Sequence, residues 1–290
     1  MNITLLVSGE LGLRCLDWLF GRHHTVSFVF TDSRSDKIIA LCQACNIAHF
    51  VGNPRGGRAA AVLAQSRCDV LLSINYLFIV EQDIIDLARL YAINFHGSLL
   101  PKYRGRTPHV WAIICGETTA GVSAHLMTLR MDAGDLVGQR VIHIDTAMTG
   151  ANVLQQYTKV YPELIDELLD RIATDSLVPT PQREELATYF PKRSPEDGAI
   201  LWTWSRERVR NWIRAQAAPY PGAYFTFREQ RVTVHWSIFD ETGFYHSDPD
   251  GTVLKKGQDH VVVKLANGAL RVGPIAQDVL IQIDPGTQLR

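Results

Sequence analysis

From Asn2 onward, short apolar runs alternate with stretches in which apolar positions recur every three or four residues. The runs Asn2–Val7, Thr25–Thr31, Ala48–Val51, Val70–Ile74 and Ala92–His96 predict strands, and the intervening Leu11–Phe20, Asp36–Cys45, Arg58–Gln65 and Gln82–Leu90 predict helices. Strand and helix in strict alternation require right-handed crossovers, so the first part of the chain is expected to be an α/β, Rossmann-like, mainly parallel sheet. Open sheets of this kind bind ligands at the carboxyl ends of their strands. His96 falls at such an end.

A Gly- and Pro-punctuated loop follows. It leads to a helix around Pro108–Cys115, two strand-like runs at Val122–Met127 and Val137–Ile144, and an amphipathic segment, Ala151–Asp175, that Thr149 or Gly150 can cap. Val178–Gln182 and Phe190–Gly198 then carry enough Pro and Gly to stop either regular element, and they read as a connecting strap. Beyond it come one helix, Arg206–Ala217, and the strand-like runs Ala223–Phe227, Arg231–Ile238, Thr252–Leu254, Val261–Leu265 and Ala269–Val272. Asn267-Gly268 predicts a type I′ hairpin. The expected organisation is a catalytic domain at 1–180, a strap at 181–203, and a smaller OB-like β-barrel at 204–290.

Composition narrows this picture. The chain has 290 residues, 46% of them hydrophobic, enough for one good core and a smaller second one. A formal net charge of −1 argues against a broad nucleic-acid surface, because phosphate neutralisation needs uncompensated Lys and Arg. No apolar run approaches the roughly 20 residues of a membrane span, and Ile3–Val7 lacks the basic flank and cleavage site of a signal peptide. A cytoplasmic protein with no membrane partner is expected. The five cysteines, Cys15, Cys42, Cys45, Cys68 and Cys115, are scattered and suit reduced thiols. Cys42 and Cys45 form a C-x-x-C without a second Cys/His pair, so no metal is expected.

Chemistry concentrates in one stretch. Along Ala92–His96 side chains alternate faces, so Asn94 and His96 point the same way, about 6 to 7 Å apart. A polar pair ending an apolar strand is costly unless it is satisfied or used. In acyl transfer to an amine, the carbonyl oxygen becomes an oxyanion, for which an amide and an imidazolium are suitable donors. Asp132, in a loop between two strand-like runs, is placed to pair with His96, raise its pKa and orient it. Singly, each residue also reads as a turn former, a satisfied core histidine or an Asx loop residue.

The long pattern Asn94-Phe95-His96-Gly97-Ser98-Leu99-Leu100-Pro101-Lys102-Tyr103-Arg104-Gly105-Arg106, followed by Met131-Asp132-Ala133-Gly134-Asp135, resembles the N-formyltransferases that use 10-formyltetrahydrofolate. That family includes methionyl-tRNA, glycinamide ribonucleotide and amino-sugar formyltransferases. Tyr189–Arg193 and Pro219–Ala223 resemble the linker and second domain of its larger members. The resemblance implies Asn94 as transition-state stabiliser, His96 as proton donor and Asp132 as the group that raises the His96 pKa. It also implies folate-binding backbone at Phe78, Ile79 and Val80 and at Thr128, Leu129, Arg130 and Met131, with Arg106 near the folate. Ser98, Lys102, Tyr103, Arg104 and Gly105 are candidate acceptor-binding residues, the cations facing anionic groups. Leu100-Pro101 is a candidate cis bond, although nothing local demands it.

Two further signals are weak. Ser8–Gly12 lacks the G-x-G-x-x-G spacing of a dinucleotide site. Trp202, Trp204, Trp212 and Tyr220 suit a base-stacking surface less well than a core, with Trp202 and Trp204 alternating as strand residues would.

For the acceptor amine, Phe30–Lys37 runs almost directly into the next helix, without the basic insertion that characterises methionyl-tRNA formyltransferases. Ile93–Pro108 is similar to the formyltransferase half of the enzyme that modifies aminoarabinose for lipid A. A dehydrogenase module like that protein's is not expected. A nucleotide-linked amino sugar is therefore the expected acceptor, with methionyl-tRNA or another small amine as alternatives and a non-catalytic folate- or sugar-binding protein as the competing class. The excursion Val122–Ile144 is the candidate edge for a homodimer.

Overall fold

The computed structural model describes residues 1–22 and 24–290. It divides into two compact units: residues 1–105, 121–142 and 155–190 form the first, and residues 106–120, 143–154 and 191–290 the second. The units interleave along the chain.

The first unit is built on β1 (Asn2–Val7), α1 (Gly9–Phe20), β2 (Thr25–Thr31), α2 (Asp36–Ala44), β3 (Ala48–Val51), β4 (Cys68–Ile74), α3 (Gln82–Ile85) and β5 (Ala88–His96). The chain continues through β6 (Arg104–Gly105), α4 (Pro108–Ile114), β7 (Thr119–Leu126), β8 (Leu136–His143), α5 (Gly150–Ala173) and β9 (Tyr189–Phe190). Seven strands form one sheet in the order β3-β2-β1-β4-β5-β7-β8. The ladders from β3 through β5 are parallel, and β7 joins β5 antiparallel. β1 is central, and Ile3 to Val7 are all buried, which is why the run is almost wholly apolar. Helix α1 buries Leu11, Cys15, Leu16 and Leu19, one stripe at helical spacing. Burial pushes the Cys15 thiol up to about 12 and the Cys42 thiol to about 11, so both are inert apolar fillers.

Two expected helices are not formed as such. Arg58–Gln65 holds only a single 3₁₀ turn, Ala60–Val62. Gln82–Leu90 is helical only to Ile85, because Ala88 already pairs with Cys68 and Arg89 bridges Asp69 across the ladder. Pairing along β4 overrides the helical spacing there. Between β2 and α2 only Asp32–Ser35 intervene.

The second unit carries α6 (Arg206–Ala215) and an antiparallel β region: β10 (Ala223–Phe227), β11 (Gln230–Val234), β12 (Trp236–Asp240), β13 (Val253–Lys256), β14 (Val261–Leu265) and β15 (Gly268–Gly273), followed by α7 (Gln277–Leu280). β10 and β11 form one sheet, and β12-β15-β14-β13 another. The single strand expected at Arg231–Ile238 is broken at His235, where the chain leaves one sheet for the other. Leu265 pairs with Gly268, so the hairpin loop is Ala266-Asn267. Neither loop residue has positive φ, as type I′ requires, and the positive φ of +157° falls on Gly268. Trp202 and Trp204 lie in a turn, not a strand; Trp202 and Trp212 are buried in this unit's core, with Trp204 packed against it. No helix among the described residues is long and apolar enough to cross a membrane.

Candidate active site

β5 ends the parallel part of the sheet, and its last residues bring the polar pair out at the strand's carboxyl end. Antiparallel register sets Asn94 opposite His125 of β7, and His96 opposite Ser123. Ser123 accepts from the Leu100 amide (2.9 Å) and donates to the Ser98 carbonyl (2.6 Å), while Gln139 Nε2 donates to Ser123 Oγ (2.7 Å) and to the Leu100 carbonyl (3.0 Å). These bonds fold the segment after His96 back over β7. The Leu100–Pro101 bond within it is cis.

Both nitrogens of His96 are engaged. Nε2 lies 2.8 Å from the Tyr103 carbonyl, and a carbonyl can only accept, so Nε2 carries the proton. Nδ1 faces Asp132 Oδ1 at 3.5 Å, and both side chains are only 8% exposed. Asp132 Oδ1 also faces His125 Nε2 at 3.7 Å, while Oδ2 accepts from the Gly105 amide at 2.9 Å. Burial would raise the Asp132 carboxyl, but the charge of the two imidazoles when protonated and the Gly105 amide outweigh it and hold the group down to about 2.

Asp132 raises the His96 pKa, the direction expected of it, but the net shift is downward. Burial, the largest influence, lowers its pKa; Asp132 and the Tyr103 carbonyl raise it, but His125 and Arg104 add to the lowering, and the net result is below the usual imidazole value. Burial thus favours the neutral ring, and in that form the Nδ1 lone pair is the atom turned toward Asp132. A proton arriving at this pair is received on Nδ1, where the carboxylate stabilises it.

His125, which sequence reasoning did not single out, completes the cluster. Its Nδ1 lies 2.9 Å from the Leu126 carbonyl and so carries the proton, which leaves Nε2 to accept from Asn94 Nδ2 at 3.1 Å. That bond orients the amide and uses one of its two N–H groups. The available signal was an imidazole inside an otherwise apolar strand; the register that sets it against Asn94 is tertiary information.

The other expected site residues fall into three groups. Ser98, Tyr103, Arg104 and Gly105 build the site and do not line it. Ser98 Oγ donates to the Lys102 carbonyl, and Tyr103 is buried, its ring stacked on Phe190 at 5.0 Å. Arg104 is completely buried, its guanidinium donating to Glu184 (3.0 and 3.2 Å), Gln182 Oε1 (2.9 Å) and the Tyr189 hydroxyl. Its two Nη atoms are thus held by carboxylate, amide and hydroxyl oxygens of the protein, its buried Nε has no partner among the described residues, and the side chain does not reach the surface to face an anionic ligand as expected. Lys102 is exposed; Arg106 is also exposed and lies in the second unit.

Phe78, Ile79 and Val80 follow β4 outside regular structure, and Thr128–Met131 follow β7. Ile79, Leu129 and Met131 stay 49%, 69% and 51% exposed in these two stretches of irregular backbone. Apolar side chains with peptide edges suit a flat heteroaromatic ring that presents donors and acceptors in its plane. The Arg130 side chain is directed to Glu184 at 2.7 Å. Among the described residues no group of His, Cys, Asp and Glu is arranged to hold a metal ion.

Several solved structures share this fold. HypX from Aquifex aeolicus, in complex with tetrahydrofolic acid, is 21% identical with a TM-score of 0.65, covering 93% of this chain; the chain spans only 43% of HypX. The N-formyltransferase from Helicobacter canadensis, in complex with folinic acid and dTDP-3-aminofucose, is 14% identical with a TM-score of 0.73, over 95% of this chain and 98% of that one. A 4-N formyltransferase from Francisella tularensis is 19% identical with a TM-score of 0.67, over 80% and 96%. Family profiles match in both parts of the sequence: formyl transferase over residues 25–169, half of the chain, and formyl transferase, C-terminal domain, over residues 192–278. With that profile laid over the strand that carries Asn94 and His96 and the loop that carries Asp132, the chain belongs to the formyl transferase family.

Proposed function

We propose that this protein transfers the formyl group of 10-formyltetrahydrofolate to the primary amine of a nucleotide-linked amino sugar. The observation that carries the reading is the convergence of Asn94, His96 and Asp132 at the carboxyl end of β5, with the Nδ1 of His96 turned to a buried carboxylate. In the proposed reaction the amine nitrogen attacks the formyl carbon and the carbonyl electrons move to oxygen. The second N–H of Asn94 donates to that oxyanion. Neutral His96 takes the proton released by the amine on Nδ1, Asp132 stabilises the imidazolium, and His96 returns the proton to the departing folate nitrogen as the old carbon–nitrogen bond breaks.

The folate donor is supported by the exposed apolar side chains Ile79, Leu129 and Met131 on irregular backbone and by the folates in the Helicobacter and Aquifex structures of the same fold. The sugar acceptor is supported by the dTDP-sugar in the Helicobacter structure and by the short Asp32–Ser35 link, which leaves no insertion to grip an acceptor stem. The test is an assay with 10-formyltetrahydrofolate against nucleotide 3-amino and 4-amino sugars and methionyl-tRNA. Turnover with an amino sugar is expected, and turnover with charged tRNA alone overturns the acceptor. Folate binding without turnover of any amine in the panel counts for a binding protein.

A further inference from the structure

Three consecutive residues, Tyr103, Arg104 and Gly105, touch the proposed catalytic pair from both sides. The Tyr103 carbonyl holds His96 Nε2, and the Gly105 amide holds Asp132 Oδ2. The residue between them sends its buried guanidinium away from the pair, into the segment that follows α5.

That segment reaches back to the Asp132 loop. Thr180 exchanges two backbone hydrogen bonds with Leu136, each 2.8 Å, at the start of β8. Two residues on, Gln182 Nε2 donates to the carbonyls of Asp132 (2.9 Å) and Gly134 (2.7 Å), while its Oε1 accepts from Arg104 Nη2 (2.9 Å). Both N–H groups and the amide oxygen of one side chain are thereby committed. The backbone they grip needs such support: Asp132 sits at φ +55°, a left-handed conformation that is unfavourable for a residue with a side chain. Gly134 packs so closely on the Leu126 carbonyl that no Cβ fits. Glu184 closes the far side, binding Arg104, Arg130 and the Tyr189 hydroxyl together.

We propose that Gln182 is a positioning residue for the formyl-transfer reaction, an amide latch between the Arg104 guanidinium and the Asp132 loop that holds the Asp132 carboxylate against His96. The inference rests on the function proposed above. An Arg104 that faced substrate would leave Gln182 without its anchor; the observed geometry uses Arg104 to orient the amide, and the amide to orient the loop. A side chain in the segment after α5 thus fixes the site without touching a reacting atom.

The test compares wild type with Gln182→Met, which keeps length and volume but removes both donors, and with Glu184→Gln, an exposed change that weakens the hold on Arg104 and Arg130 without touching Gln182. Steady-state kinetics separate kcat from KM, and NMR follows the titration of the His96 imidazole. In Gln182→Met, kcat is expected to fall at least about tenfold with KM for both substrates within about twofold. The His96 titration is expected to move to lower pH, because the nearby carboxylate that raises it is no longer held in place while His125 and Arg104 still act against protonation. Glu184→Gln is expected to change both in the same direction by less, and it carries the test if the first variant does not fold. Wild-type kcat together with an unmoved His96 titration in the folded variants overturns the latch. Absence of formyl transfer in wild type overturns the proposed function instead, and the NMR titration then decides the latch alone: a shift to lower pH supports it, and an unmoved titration overturns it.

Discussion

Asp132 Oδ1 stands 3.5 Å from His96 Nδ1 and 3.7 Å from His125 Nε2, so one buried carboxylate oxygen faces two imidazoles. Asp132 favours a proton on His96 while burial disfavours it, so the imidazole can receive a proton and is poor at keeping one. That is the behaviour a reversible proton carrier requires.

Removing the imidazole is expected to be severe. His96→Ala should lower kcat by about 10²–10⁴-fold while a non-reacting folate still binds, since the proposed folate contacts lie elsewhere. Asp132→Asn should lower kcat and shift the His96 ionisation to lower pH, because the negative charge that favours imidazolium is gone. A pH profile of kcat/KM indistinguishable from wild type contradicts the pairing.

Asn94 is proposed to stabilise the oxyanion directly, and His125 to aim it. Asn94→Ala is expected to reduce kcat by about 10²–10³-fold, equivalent to about 3–4 kcal/mol. His125→Ala should cost less, and the double variant little more than Asn94→Ala alone, because the two act through one hydrogen bond. Additive losses in the double-mutant cycle remove His125 from that role.

Acid stability follows from the same two shifts. A group whose folded pKa is depressed contributes stability above its unfolded value and loses it as pH falls toward the folded one. His96 is depressed from about 6.5, so the first loss begins below that pH. Asp132 is depressed from 3.8 to about 2, so a second loss, of order 2 kcal/mol, falls between about pH 4 and 2. Urea unfolding across pH 7 to 3 should show a falling midpoint, and Asp132→Asn should flatten its lower part. A midpoint independent of pH excludes both shifts.

Gly105 adopts φ +105°, pairs through β6 with β9, and lies against the Phe190 carbonyl with no space for a Cβ. Gly105→Ala is therefore expected to lower stability by more than about 1 kcal/mol, and activity with it, since the Gly105 amide holds Asp132. Thermal melting together with kcat checks this; a variant unchanged in both contradicts the close approach.

Much of this was legible in the chain alone. Periodicity was enough to place β1 through β4 and α1, because buried parallel strands and an amphipathic helix must carry those patterns whatever surrounds them. Alternation along one strand was enough to set Asn94 and His96 on one face, since a pleat leaves no other choice. Tertiary structure alone decided which strand lies beside them and in what register, and hence that His125 meets Asn94. It also decided that Gln82–Leu90 yields its end to β5, that Arg104 turns inward to Gln182 and Glu184, and that burial outweighs Asp132 in setting the His96 pKa. Local sequence records what each residue can do; pairing partners and desolvation come from residues distant in the sequence, and only the folded chain brings them into contact.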